Sequence, residues 1–234
     1  MLRRKVEKTL LDWKNTPNHK PLILKGCRQC GKTYSVLEFA KKNYAHTVYL
    51  NFFENPQFVS VFSGSLEVDN ITMLLSALMG QDAVFESGKT LLVLDEIQDC
   101  PDARTALKFF KLDGRYDVIG TGSLLGVKGY GSKEPKSIPV GYETVLDMSP
   151  LDFEEFLWAK GYSDLHIEQI LEHMCSGKVF SETELSVYKK LFLEYCVLGG
   201  MPAVIRQYIE TNTFSDTLEI QRQIQLDYEE DIRK

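Results

Sequence analysis

The chain has 234 residues, of which 44% are hydrophobic and 26% are charged, and its formal net charge is −6. This apolar content excludes intrinsic disorder, and the length is sufficient to bury one substantial core together with a smaller second domain. No apolar run approaches the roughly 18 residues that a membrane helix needs, so we expect no membrane partner.

The first two thirds of the chain alternate between helical and strand-like patterns. In chain order, the patterns predict a helix over 2–15, a strand over 21–24, a helix over 33–42, a strand over 47–52, a helix over 69–79, a strand over 90–94, a helix over 102–112, a strand over 116–120 and a strand over 143–148. Residues 124–139 are rich in Gly, Lys, Ser and Pro and are predicted to form a loop. This alternation indicates an α/β fold, in which helices flank a five-stranded parallel sheet.

From residue 149 onward the pattern is helical throughout. Helices are predicted over 151–160, 163–175, 181–198, 202–210 and 214–233. We therefore place a domain boundary near residue 160, with residues 1–160 as the core domain and residues 161–234 as a helical lid or linker. The helical pattern reaches residue 234 without a stop signal, so we expect the start of a further C-terminal domain there.

The first motif lies between the first predicted strand and the helix that follows it. Residues 26–33 fit the P-loop pattern G-x-x-x-x-G-K-[ST], and the residues expected to bind the phosphates are Gly26, Cys27, Arg28, Gln29, Cys30, Gly31, Lys32 and Thr33. The glycines permit a tight turn whose N–H groups point at phosphate oxygens, and the start of the helix adds its positive end. We expect Lys32 to reach the β- and γ-phosphates and the Thr33 hydroxyl to bind Mg²⁺. The predicted ligand is ATP with Mg²⁺.

The second motif ends the most apolar strand in the chain. Four apolar residues over 91–94 are followed directly by Asp95 and Glu96. The carboxyl end of such a strand faces the crevice in which α/β sheets bind ligands. We expect Asp95 to hold the Mg²⁺ ion, as Walker B aspartates do, and Glu96 to act as the general base that polarises the attacking water.

A third group of polar residues follows the fourth predicted strand. A hydroxyl in Gly120-Thr121-Gly122-Ser123 could contact the γ-phosphate or the attacking water, and we favour Ser123 over Thr121. Ordinary turn chemistry also favours Gly and Ser at such a position, so both interpretations remain open. Gln98, two positions after the acidic pair, is equally consistent with orienting water and with ending a strand.

Several segments in the same order resemble one family. They are the P-loop, residues 94–101, residues 116–127, residues 150–157 and the Gly-Gly-Met-Pro run over 199–202. Together these resemble the bacterial and archaeal P-loop ATPases of the AAA superfamily in which the ATPase domain is followed by a C-terminal domain of unknown function. The resemblance implies ATP as the ligand, Mg²⁺, a five-stranded AAA-type core over residues 1–160 and a further C-terminal region.

No arginine in the sequence can be assigned as an arginine finger. The 124–139 loop contains Lys128, Lys133 and Lys136 but no arginine. Three arginines are candidates, and the simpler explanation of each is a solvated charge on a helix or loop: Arg104, Arg115 and Arg206. Since such an arginine accelerates phosphoryl transfer by roughly 10³–10⁵, we expect slow hydrolysis by a monomer of this chain.

The cysteines and several aromatic residues have simple structural interpretations. Five cysteines, an odd number at scattered positions, give no disulfide framework and favour a cytoplasmic protein. Cys27 and Cys30 form a C-x-x-C pattern inside the P-loop; we interpret them as incidental small residues, with an oxidation-sensitive loop as the alternative. Six aromatic residues are predicted to lie in the hydrophobic core: Phe52, Phe53, Phe58, Phe153, Phe156 and Trp158.

Three functions remain in competition. The first is an ATPase that couples hydrolysis to movement of the helical segment or of a protein partner, and the second is a nucleotide-gated interaction module with little turnover. A small-molecule kinase is less consistent with adjacent Asp95 and Glu96, and no Asn-Lys-x-Asp motif supports a GTPase. The partner is expected to be an unknown protein or a second copy. Residues 1–42 carry a charge of +8 and the rest −14, so a nucleic-acid partner is possible but not supported by the net charge.

Overall fold

The computed structural model describes residues 2–123 and 141–233. The predicted loop over 124–139, with its three lysines, lies outside the described residues. The chain divides into two compact units. One, here called the sheet unit, comprises Val6–Cys27 and Lys32–Met148, and the other, the helical unit, comprises Met1–Lys5, Arg28–Gly31 and Ser149–Lys234.

The sheet unit contains the alternating strands and helices that the sequence predicts. Its elements are α1 (Val6–Asn15), β1 (Leu22–Gly26), α2 (Lys32–Asn43), β2 (His46–Asn51), α3 (Val68–Met79), β3 (Thr90–Asp95), α4 (Pro101–Asp113), β4 (Asp117–Ser123) and β5 (Thr144–Met148), with short 3₁₀ segments at Pro56–Phe62, Gly80–Asp82 and Ile97–Asp99. Pro101 opens α4 at a position where the first turn needs no N–H donor.

The five strands form one parallel sheet in the order β2-β3-β4-β1-β5, which confirms the predicted fold class. Because every strand runs in the same direction, all five carboxyl ends lie at one edge. The register places Asn51 of β2 opposite Asp95 of β3, and Gly26 of β1 opposite Ser123 of β4. The predicted site residues of three strands are therefore brought to the same edge.

Burial in the sheet unit follows the strand pattern. All six residues of β3 are buried, as expected for a central strand covered on both faces. The core around it includes Phe52 and Phe58 as predicted. The prediction for Phe53 was wrong, since its side chain is 73% exposed. The reason is the turn after β2: the Asn51 side-chain oxygen accepts the N–H groups of Phe53 and Glu54, which ends the strand.

The helical unit contains helices as its only regular elements in its described residues. They are α5 (Phe153–Ala159), α6 (Asp164–Cys175), α7 (Glu182–Leu198), α8 (Pro202–Thr211) and α9 (Ser215–Arg233). Asp152 and Glu155 form a capping box at the start of α5, and Ser181 and Glu184 form another at the start of α7. Phe156 is fully buried in an apolar cluster of this unit, while Phe153 and Trp158 are partly buried.

Two sequence predictions bear on the helical unit. None of the described helices combines the length and the apolar character that crossing a membrane requires. The domain boundary near residue 160 stays a prediction; the long segments of the two compact units meet at Met148 and Ser149.

Candidate functional site

The P-loop connects β1 to α2, as its motif requires. Gly31 has φ = +94°, a backbone conformation that favours glycine, and Gln29 has φ = +60°. Left-handed residues between ordinary ones turn successive N–H groups toward one concave side, and such a concavity binds anions. Lys32, the first residue of α2, brings the positive end of that helix to the same place.

Lys32 is held inside the loop. Its side chain is buried, with 7% exposure, and the ammonium donates to the carbonyl oxygens of Gly26 at 3.1 Å and Cys27 at 2.8 Å. A buried ammonium requires acceptors, and these two neutral carbonyls compensate its charge only in part. Phosphate oxygens would provide charged acceptors in addition to these two carbonyls, so the residues fit a polyphosphate ligand.

Thr33 and Asp95 bring a hydroxyl and a carboxylate together. The Thr33 Oγ1 lies 3.1 Å from each carboxylate oxygen of Asp95, and Asp95 is only 3% exposed. Hydroxyl and carboxylate oxygens are the ligands that Mg²⁺ prefers. The pair therefore fits the predicted metal-binding role of both residues.

Asp95 receives further donors from the neighbouring strands. The Tyr49 hydroxyl donates to Oδ2 at 2.7 Å, the Thr121 hydroxyl donates to Oδ1, and the Glu96 N–H donates to Oδ1 at 3.2 Å. Burial, together with the hydrogen bond to Asp95, raises the pKa of Tyr49 well above its ordinary value. Tyr49 thus stays a donor at any physiological pH, and the carboxylate of Asp95 is held in one orientation.

Glu96 occupies an unusual backbone conformation directly after β3. Its φ and ψ are 52° and 47°, in the left-handed region, where a residue with a β-carbon is strained. Its carboxylate accepts a hydrogen bond from the amide of Gln98. The other amide atom, Gln98 Oε1, is buried and has no hydrogen-bond partner among the residues that the structure describes. An acceptor of this kind next to a carboxylate is suited to holding a polar molecule such as water.

The two hydroxyls at the end of β4 have different surroundings. Thr121 is fully buried and its hydroxyl donates to Asp95, whereas Ser123 is half-buried and its backbone pairs with Gly26, the first P-loop residue. The sequence-based preference for Ser123 as a catalytic residue stays a prediction. The structural role of Thr121 in orienting Asp95 was not foreseen.

The three candidate arginines occupy ordinary surface or half-buried positions. Arg104 forms an ion pair with Glu143 through its Nε at 3.1 Å, and Arg115 pairs with Asp113 and Asp69. Arg206 is exposed on α8. The described residues therefore single out none of the three as an arginine finger, and the lysines of the 124–139 loop lie outside them.

Tyr49 and Asn51 are functional candidates that the sequence did not single out. Tyr49 was read as part of the apolar strand over 47–52, although its hydroxyl reaches Asp95. Asn51 donates to the Tyr49 hydroxyl at 3.2 Å. A polar residue at the carboxyl end of the strand next to β3 was a usable signal, but strand order cannot be read from the sequence.

The two cysteines of the P-loop differ in exposure. Cys30 is fully buried and Cys27 is half-buried, and neither forms a disulfide. The choice between incidental residues and an oxidation-sensitive loop stays open.

Comparison with known proteins identifies the family. A family model described as an AAA domain matches residues 18–157, which is more than half of the chain. The chain belongs to the AAA family. No curated protein sequence matches it significantly.

Several solved structures are similar to this chain at low sequence identity. The Walker-type ATPase PABY2304 of Pyrococcus abyssi aligns with a TM-score of 0.56 and 15% identity, covering 100% of this chain and 76% of that one. The AMPPCP-bound DnaA of Aquifex aeolicus has a TM-score of 0.46 and 15% identity, covering 94% and 65%. The ORC2 protein of Aeropyrum pernix, in ADPNP–ADP complexes, has a TM-score of 0.45 and 16% identity, covering 66% and 49%. The likeness to the first of these three supports the P-loop NTPase fold alone.

Proposed function

We propose that this AAA domain binds ATP with Mg²⁺ at the P-loop and hydrolyses it to ADP and phosphate. The observation that carries the proposal is the 3.1 Å contact of the Thr33 hydroxyl with both oxygens of Asp95, beside an ammonium of Lys32 that neutral carbonyls satisfy only in part. Family membership supports nucleotide binding, while the activity, Mg²⁺ dependence and cytoplasmic location belong to the proposal.

Each residue has a defined part in the proposed reaction. The P-loop N–H groups and Lys32 orient the phosphates, and Thr33 and Asp95 hold the metal, which when bound neutralises charge on the β- and γ-oxygens. Glu96 accepts a proton from the attacking water as general base. Gln98 Oε1, buried without a partner among the described residues, accepts a hydrogen bond from the other O–H of this water in the proposed reaction and so orients it. Ser123 is proposed to contact the γ-phosphate.

The first experiment measures binding by thermal melting with a non-hydrolysable ATP analogue and Mg²⁺. At about 100 times Kd, the ligand should stabilise the protein by roughly 2.7 kcal/mol. For a chain of this size, that corresponds to a shift of roughly 5–10 °C in Tm. Lys32→Ala should abolish the shift, whereas Lys41→Ala, an exposed lysine on the same helix, should retain it. Absence of any shift in the wild type would overturn the proposal.

The second experiment separates binding from turnover. Glu96→Gln keeps the size and the left-handed backbone of Glu96 but removes the base. We expect it to bind the analogue with wild-type affinity and to lose at least about 100-fold in turnover, the lower end of the usual contribution of general base catalysis. Wild-type turnover by Glu96→Gln would remove the proposed role of this residue.

A nucleotide-gated module with little turnover is the second candidate. The ion pairs of Arg104 and Arg115 favour it, because a paired arginine is less available to stabilise the transition state. A single-turnover measurement compared with steady-state turnover distinguishes the two, since a gated module would complete one slow turnover and then remain in the ADP state. If self-association supplies an arginine, turnover per chain should rise with protein concentration.

A further inference from the structure

The N-terminal segment contributes a buried arginine that contacts the P-loop backbone. Arg4 is only 8% exposed and belongs, with Arg28–Gly31, to the helical unit. Its guanidinium donates to the carbonyl oxygen of Cys30 at 2.8 Å, to that of Ser149 at 2.6 Å and to the carboxylate of Glu155 at 3.2 Å. One planar side chain thus joins three segments of the unit.

Glu155 fixes the position of this guanidinium. Its Oε1 also accepts the Lys5 N–H at 2.6 Å, and its Oε2 accepts the Asp152 N–H at 3.1 Å as part of the capping box of α5. The carboxylate is therefore anchored from both sides and has little freedom to move. The anchored carboxylate in turn holds the Arg4 guanidinium through their hydrogen bond.

Two residues of α9 also contact the P-loop. The Tyr228 hydroxyl on α9 donates to the carbonyl oxygen of Arg28 at 2.8 Å, and the Gln29 side chain donates to Asp227 at 2.6 Å. Arg4 and Tyr228 therefore bind the carbonyls of two alternate P-loop peptides, those of residues 28 and 30.

Peptide geometry links the contacts at these two carbonyls to the N–H groups on the phosphate-binding side of the loop. In a trans peptide the C=O and the next N–H point in opposite directions. A carbonyl of Cys30 held by Arg4 directs the Gly31 N–H away from Arg4, and a carbonyl of Arg28 held by Tyr228 does the same for the Gln29 N–H. These are N–H groups of the loop expected to donate to phosphate oxygens.

We propose, on the basis of the ATP binding proposed above, that Arg4 is a positioning residue for the triphosphate. It holds the Cys30 peptide so that the N–H groups of the P-loop are already oriented toward the phosphate position before the nucleotide binds. Tyr228 supports the Arg28 peptide in the same way. Preformed donors bind an anion more tightly than donors that must first be ordered. Both residues lie outside the segment that the family model matches, residues 18–157.

The choice of arginine supports a positioning role. Buried ion pairs are weak contributors to stability, and apolar residues often replace them without loss. The planar fork of a guanidinium can satisfy three acceptors in fixed directions, which the single ammonium of a lysine cannot do. Arg4 thus fixes the orientation of the loop carbonyl that it binds, which stabilising the fold alone would not require.

The test measures the Kd and the number of binding sites per chain for a fluorescent ATP analogue with Mg²⁺. We expect Arg4→Met to raise Kd at least about tenfold, because charge-assisted hydrogen bonds to the loop are lost. The matched control is Arg3→Met, which removes the neighbouring positive charge from an exposed pair with Asp164 and should leave Kd within about twofold of wild type, as surface substitutions usually do. Pyrophosphate, which has no base or ribose, should lose affinity by the same factor as ATP.

The readouts separate positioning from folding. A merely structural role for Arg4 would reduce the number of sites per chain and leave Kd unchanged, whereas a positioning role raises Kd at a full number of sites. If Arg4→Met does not fold, Arg4→Lys keeps the charge beside Glu155 and should still raise Kd at least about threefold, since one ammonium cannot reproduce the fork. Tyr228→Phe, which removes one hydroxyl, should raise Kd about two- to fivefold.

The measured Kd values distinguish a failure of the proposed ATP binding from a failure of the positioning roles of Arg4 and Tyr228. An unchanged Kd in Arg4→Lys, and in Arg4→Met where it folds, would overturn the role of Arg4, and an unchanged Kd in Tyr228→Phe would overturn that of Tyr228. If the wild-type chain itself does not bind the analogue, ATP binding fails. Wild-type binding combined with unaffected variants refutes only the positioning role.

Discussion

Thr33 and Asp95, which lie 62 positions apart in the sequence, share a hydroxyl–carboxylate contact in which Thr33 Oγ1 is 3.1 Å from both carboxylate oxygens. Thr33 is the last residue of the P-loop, which follows β1, and Asp95 ends β3, so the contact depends on two parallel strands finishing at one edge. It brings together a hydroxyl and a carboxylate, which are oxygen groups of the kind that Mg²⁺ prefers.

Thr33→Val should remove most of the benefit that Mg²⁺ gives to nucleotide binding. The shape is nearly kept, but one oxygen ligand is lost, and we expect Mg²⁺ affinity to fall about 10- to 100-fold, as for other perturbed metal sites. The measurement is binding of a fluorescent ATP analogue across an Mg²⁺ titration, with EDTA as the reference. Thr105→Val, whose hydroxyl bonds to the α4 backbone, is the control. An unchanged Mg²⁺ midpoint in Thr33→Val would contradict the ligand assignment.

Replacing Glu96 by glycine should separate stability from activity. Glu96 is held at φ = 52°, so glycine relieves local strain while it adds flexibility to the unfolded chain. We expect Glu96→Gly to be as stable as Glu96→Gln or more stable by up to about 1 kcal/mol, while both variants lose at least about 100-fold in turnover. Denaturant unfolding and a phosphate-release assay measure the two properties. A Glu96→Gly variant clearly less stable than Glu96→Gln would show that strain is not stored at this position.

Three glycine-to-alanine variants should differ in stability according to what a β-carbon meets. At Gly200 the new atom would overlap the backbone carbonyl of Leu151, which cannot move aside, whereas at Gly120 it meets the Ile23 and Ile97 side chains at 2.7 and 2.9 Å. Overpacking usually costs about 1–3 kcal/mol, so we expect Gly120→Ala within this range and Gly200→Ala at its upper end or above. Gly64→Ala, where nothing lies within 4 Å, should change stability by less than about 0.5 kcal/mol. Denaturant unfolding in which Gly64→Ala is the least stable of the three would refute this order.

Alkaline pH should destabilise the fold through Tyr49. Its pKa is raised by burial and by the hydrogen bond to Asp95, so the folded state keeps a proton that the unfolded state loses above about pH 10. The free energy of unfolding is therefore unaffected below pH 10 and falls above it, by up to about 1.4 kcal/mol per pH unit for each such tyrosine. Tyr49→Phe should have a shallower fall between pH 10 and 12 in urea unfolding. Parallel curves for the variant and the wild type would contradict the assignment.

Local patterns predicted the elements that carry the motifs. The P-loop lies between a strand and a helix as its pattern requires, and β3 is buried along its whole length. Phe53 was misassigned to the core because its exposure depends on a side-chain hydrogen bond of Asn51, which the apolar pattern of the neighbouring residues does not reveal. Tyr49 was missed for a related reason: in an isolated strand, its hydroxyl has no predictable partner.

The sequence by itself determined the family, the five-stranded parallel sheet and the position of the P-loop pattern between a strand and a helix, because these depend on periodicity and on motifs that are contiguous in the chain. Only the tertiary structure decided which distant side chains meet them: Tyr49 and Thr121 on Asp95, and Arg4 on the carbonyl of Cys30 and on Glu155, 151 positions away. Hydrogen bonds are short-ranged and directional, so their partners are set by strand order and by the path of the N-terminal segment, which no local pattern encodes.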